Sequence, residues 1–219
     1  MDRAAQAFVA FAFVGCGILA GTASGAQIIV NQNMPYNYGD AGEFVATPFA
    51  FPGTPVSLTN DGNFQTFCIQ AQEHFTPGDL YNCYFSNVGQ PGGPSLNEQT
   101  AWLYDQFIHG TLPGYDFSNS LNQRLPNAGS LQYALWQLEG VDTTGQTPDP
   151  SPATTASYMA LANANAQPGN FYGVQIVVMY WGPAESPTFV QNQLVEFVPA
   201  PGTVGLAGLA GAVMLRRRR

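Results

Sequence analysis

Two cysteines and two histidines are the side chains most suited to chemistry in the body of this 219-residue chain. Cys68 and Cys83 stand fifteen residues apart, while the third cysteine, Cys16, lies in an N-terminal apolar run. In an exported protein the default for two cysteines is a disulfide, which over such a loop stabilises by about 3 kcal/mol. Adjacent antiparallel strands joined through the turn Thr76-Pro77-Gly78-Asp79 are the expected way to bring them together. His74 and His109 sit in no ligand spacing such as His-Glu-x-x-His, and no phosphate loop, Gly-x-Ser-x-Gly elbow or Cys-x-x-Cys pair occurs. The chain therefore reads as a non-enzyme with no cofactor and no metal site, and His74 as an exposed loop residue. Asp61-Gly62-Asn63 and Asp40-Ala41-Gly42-Glu43 are oxygen-rich, but neither reproduces a twelve-residue EF-hand loop, so both read as turns. Trp102, Tyr104 and Trp181 supply the material of a sugar-stacking platform. A non-covalent structural or carbohydrate-binding module, stapled by Cys68–Cys83, is thus one reading.

A second reading starts from two segments, Thr66-Phe67-Cys68-Ile69 and Leu131-Gln132-Tyr133-Ala134-Leu135-Trp136. Together they resemble the thioester domains of bacterial surface adhesins, whose pattern is an aromatic-Cys on a strand and an apolar-Gln-x-Ala-apolar-Trp segment on a helix. The helix segment matches at every specified position, and the likeness covers residues 60–140. It implies an internal thioester between the Cys68 sulfur and the Gln132 side-chain carbonyl, and attachment to an amine-bearing surface ligand or an extracellular polysaccharide.

That chemistry suits the residue types. Only a cysteine offers the sulfur nucleophile, and only Gln or Asn offers a primary amide that can lose ammonia. Fixed geometry is worth roughly 7–11 kcal/mol to such an intramolecular step. On a helix Gln132 and Trp136 share one face, so the indole is placed to cover the bond and exclude water. The chain also has no lysine, as befits a protein that displays an amine-reactive acyl group. Gln70 is the next acyl donor in sequence reach of Cys68.

The two ends read as processing signals. Residues 1–26 carry one early charge, Arg3, an apolar run from Ala7 to Ala20, and small residues up to Ala26, the pattern of a secretory signal peptide. Residues 199–219 run Pro199-Ala200-Pro201, then apolar or small residues from Thr203 to Leu215, then Arg216, Arg217, Arg218 and Arg219. The apolar stretch is short for a permanent span, and the arginines fix its end in the cytoplasm. This tail resembles the PEP-CTERM sorting signal of Gram-negative surface proteins, with Ala200 in place of the usual Glu. The resemblance implies transient insertion in the inner membrane, an exosortase-type protease as partner, and delivery to the cell surface or extracellular matrix.

Between the ends, residues 27–198 hold thirteen acids against one basic residue, Arg124, a net charge of −12. Such a surface repels phosphates, which excludes a nucleic-acid partner and leaves amines, cations and basic proteins to be attracted. Strands are expected at Glu43–Phe49, Phe64–Gln70, Leu80–Phe85, Val174–Trp181 and Thr188–Val198. Three helices intervene. The first opens on a Ser95/Glu98 capping box and ends at His109-Gly110, the second runs from Gly129 to Glu139, and the third starts at Ser151-Pro152. Strands, then helices, then strands argue for one α+β domain with an antiparallel sheet or sandwich.

Overall fold

The computed structural model describes residues 25–39, 41–118 and 120–198. The expected sorting tail and all but residues 25 and 26 of the expected signal peptide lie outside the described residues. The domain is α+β, as the element order argued. Seven strands, β1 (Gln27–Tyr38), β2 (Ala41–Phe49), β3 (Phe64–Thr66), β4 (Leu80–Ser86), β5 (Val174–Trp181), β6 (Thr188–Phe189) and β7 (Gln193–Glu196), form one antiparallel sheet. The helices α1 (Glu98–Ile108), α2 (Leu121–Leu138) and α3 (Pro152–Asn165) are inserted between β4 and β5.

Strand order is β3-β2-β1-β4-β5, with β6 and β7 sharing the far edge of β5. The chain beyond β3 then pairs with the free edge of β7. Cys68 bridges Gln193, Leu194 N–H donates to Phe67 O, and Ile69 N–H donates to Asn192 O. Through these bonds the sheet rolls up and closes on itself, leaving its edges paired. Cys68 sits at this closing seam.

Period-two alternation explains how the strands serve two cores at once. From β5, Ile176 and Val178 join a cluster with the helices, whereas Val177 and Met179 join a second cluster with β1 and β2. The segment after β3 does the same: Phe67 and Ile69 face the first cluster, Phe64 and Cys68 the second. The half-buried strand expected at Phe64–Gln70 is therefore buried on both faces, and its pairing with β2 stops at Thr66. The expected strand Thr188–Val198 is likewise broken into β6 and β7, so that residues 190–192 can meet Met179 and Ile69.

Helix boundaries moved for specific reasons. The cap of α1 is Asn97, whose Oδ1 accepts the Thr100 N–H at 2.7 Å, rather than Ser95. Asn97 also donates to Leu138 O and takes Glu139 Oε1 on its backbone N–H, so the end of α2 fixes this start. Glu98 instead accepts the Gly169 N–H. Helix α2 begins eight residues before Gly129 and runs through Pro126, which a sequence reading treats as a breaker. Its first turns are held by Arg124, described below. Helix α3 starts at the expected Ser151 cap with Pro152 at its first position.

Candidate functional site

The site is built where α2 lies across the closing seam. Residues Ala128 to Trp136 of α2 are buried, as few helices are over so long a run. Gly129 makes this approach possible: a Cβ there would stand 2.8 Å from Pro150 Cγ and 2.9 Å from the Tyr38 ring. From this seat Gln132 reaches Cys68.

The two side chains meet in a closed arrangement. Cys68 N–H donates to Gln132 Oε1 at 3.2 Å, and the Cys68 Sγ donates to the same oxygen at 3.3 Å. Gln132 Nε2 in turn donates to Cys68 O at 2.5 Å. The amide thus pairs with the Cys68 backbone as a neighbouring strand would, and this pairing sets its orientation. Cys68, Gln132 and Trp136 are each fully buried. The Trp136 indole stacks edge-on to Tyr133 at 5.3 Å, and its N–H finds no hydrogen bond of good geometry among the described residues. It lies by the Cys68 sulfur, where it favours the thiolate.

Electrostatics around the sulfur are dominated by desolvation. Burial pushes the Cys68 thiol up to about 12, with the Trp136 N–H and nearby backbone N–H groups pulling the other way. The sulfur therefore keeps its proton at neutral pH. The Cys68 N–H that now polarises the Gln132 carbonyl donates to the oxygen on which negative charge would gather if the carbonyl carbon were attacked, the geometry of an oxyanion donor.

Cys83 does not join them. Cys68 and Cys83 are both free, buried thiols, so the disulfide alternative is not formed. The reason is strand order: Cys68 lies just beyond β3 on the segment that pairs with β7, while β4, which bears Cys83, pairs with β1 and β5. Burial also pushes Cys83 up to about 12. The aromatic platform fails on similar grounds. Trp102 and Tyr104 are buried in the helical core, and only Trp181 is exposed, packed on Tyr81 at 4.5 Å. Gln70, the alternative candidate for acyl donor, is engaged elsewhere, its Oε1 accepting the Asn192 N–H at 2.8 Å. His74 is exposed, as expected. Asp61 caps its own turn, accepting from Thr59 and from the Asn63 N–H.

Two constellations escaped the sequence reading. Glu43, where an expected turn meets the expected strand Glu43–Phe49, lies in β2 and is fully buried against Arg124 in a bidentate pair, Nε to Oε2 at 2.7 Å and Nη2 to Oε1 at 2.8 Å. Tyr115 donates to the same carboxylate at 2.8 Å, Asn33 at 3.1 Å, and Tyr36 stacks under the guanidinium at 4.1 Å. A lone basic residue among thirteen acids was the signal that Arg124 had a dedicated partner. The other constellation gathers Asp105, His109 and Glu196. Helix spacing brings the first two together, but Glu196 arrives from β7, far along the chain. Among the described residues no helix is long and apolar enough to cross a membrane. Compared with known proteins, the chain matches no protein-family model, no curated protein and no solved structure.

Proposed function

We propose that this is an exported surface or matrix protein that attaches covalently to an amine-bearing partner through a Cys68–Gln132 thioester. The observation that carries this reading is the buried contact of the Cys68 sulfur, 3.3 Å from Gln132 Oε1, with the Cys68 N–H on the same oxygen. In the forming step the sulfur attacks the Gln132 carbonyl carbon and the carbon–nitrogen bond breaks. The thiol proton leaves with the amide nitrogen as ammonia. An acceptor amine later attacks the same carbon, forming an amide and returning the proton to sulfur. Each site acts once, so the protein is a reagent rather than an enzyme. The dry surroundings protect the acyl group from hydrolysis, and the acidic surface draws cationic amines such as polyamines or lysine-rich proteins. The signal peptide and the arginine-ended tail supply the export route, with an exosortase-type protease as the processing partner.

Intact mass tests the first step, since loss of ammonia lowers the mass by about 17 Da. Incubation with methylamine near neutral pH tests the second, with the label expected on Gln132 and a free thiol on Cys68. Cys68→Ala and Gln132→Glu should each abolish labelling. A folded, unreduced protein of full mass that takes up no methylamine defeats the proposal.

A further inference from the structure

We propose that Asp105, His109 and Glu196 form a site for a divalent transition-metal ion of the zinc class, independent of the thioester. His109 Nε2 stands 2.9 Å from Glu196 Oε1 and 3.8 Å from Asp105 Oδ1. One ligand atom from each residue lies within 4.8 Å of the others. Ligand atoms about 2.0–2.2 Å from a zinc ion are themselves roughly 3–3.5 Å apart, so the three groups need only small movements to share one. A nitrogen and two carboxylate oxygens suit zinc, cobalt or nickel, whereas the imidazole disfavours calcium and magnesium.

A second observation points to a cation here. The Glu196 side chain is only 7% exposed, and its Oε2 is buried with no hydrogen-bond partner among the described residues. A buried carboxylate oxygen left unpaired is costly, and a metal ion satisfies it without needing a donor hydrogen. The position reinforces the charge balance. Asp105 and His109 lie at the C-terminal end of α1, where the helix dipole favours a cation, and the last turn holds no basic residue. The single arginine of the described residues is committed to Glu43. An ion bound here would pin the end of α1 to β7, whose first residue, Gln193, bridges Cys68.

The test is calorimetric titration of the chelator-treated, full-length protein with zinc chloride, followed by cobalt(II) absorption. One ion per chain is expected. Asp105→Asn and His109→Gln should each weaken binding by at least about tenfold, with far-UV circular dichroism unchanged. Asp105 and His109 are partly exposed, so these variants keep the fold within reach of measurement. Cobalt should give ligand-field bands of nitrogen and oxygen coordination without a thiolate charge-transfer band. Absence of zinc uptake, equal affinity in both variants, or a thiolate band from Cys68 or Cys83 would each overturn the assignment.

Discussion

Helix α2 carries two buried polar contacts to the sheet, Arg124 with Glu43 and Gln132 with Cys68, and they are completed in opposite ways. Around Glu43 every acceptor is taken: the guanidinium binds both oxygens, and Tyr115 and Asn33 fill what remains. Charge is buried there, yet it is fully paired, which is the condition under which a buried ion pair is tolerated. Around Cys68 all groups are neutral, and the bonds point at atoms that can react. The same carbonyl oxygen receives both the thiol and the backbone N–H, while the indole N–H of Trp136, by the sulfur, has no hydrogen-bond partner among the described residues. The contrast teaches that one end of α2 fixes the helix in place, so that the other end can hold an amide within hydrogen-bonding distance of a thiol.

The largest effect is expected from breaking the charged end. Arg124→Met leaves Glu43 buried and unpaired, and should cost about 3–5 kcal/mol in urea denaturation. A Glu43→Leu/Arg124→Met double variant should recover much of that loss. If the single variant is as stable as the parent, Arg124 is not what seats α2.

Titration of the Cys68 thiol sharpens the other end. Burial lifts this group from its ordinary value of 9.0 to about 12. The folded state therefore holds the proton more tightly than the unfolded chain. Its contribution is complete below pH 9 and is lost as pH rises towards 12, by roughly 3–4 kcal/mol. Gln132→Met, which cannot form a thioester, should show this alkaline loss relative to Gln132→Met/Cys68→Ala. Parallel pH–stability curves for the two would show that Cys68 is not desolvated.

Gly129 lies between the two contacts and tests their dependence on each other. Gly129→Ala pushes a methyl against Pro150 and Tyr38, at an expected cost of about 1–3 kcal/mol. Methylamine labelling should fall with it, because α2 is lifted at the turn before Gln132. Full labelling in a destabilised Gly129→Ala protein would uncouple seat and site. The smallest effect is expected at Trp136. Trp136→Phe keeps a ring but removes the N–H that favours the Cys68 thiolate, so labelling should slow by about tenfold, about 1.4 kcal/mol in the barrier. Stability should change little more than that, and an unchanged labelling rate would assign the indole to packing alone.

Legibility in the sequence followed the range of the forces involved. The strand Val174–Trp181 and the start of α3 were readable to the residue, because a β-branched and aromatic run and a Ser-Pro cap act within a few positions. Strand β1 was not read, since Asn31, Gln32, Asn33 and Pro35 interrupt its apolar start. Its pairing with both β2 and β4 makes it a strand in spite of that local pattern. The Cys68 and Gln132 segments were visible as a pattern, but nothing local distinguishes a cysteine that meets a glutamine from one that meets a second cysteine.

The sequence by itself determined the class of the domain, the order of its elements and the acidity of its surface. It also set which side chains carry reactive sulfur and amide groups. These follow from composition, periodicity and capping, which are properties of neighbouring residues. Tertiary structure alone decided the partners. Rolling the sheet put β3 beside β2 and β7 instead of β4, which separated Cys68 from Cys83 and turned the seam towards Gln132. The same packing buried Glu43 against Arg124 and brought Glu196 to Asp105 and His109. Contacts across 64, 81 or 87 positions depend on strand order and register, and those are settled by the burial of the whole core.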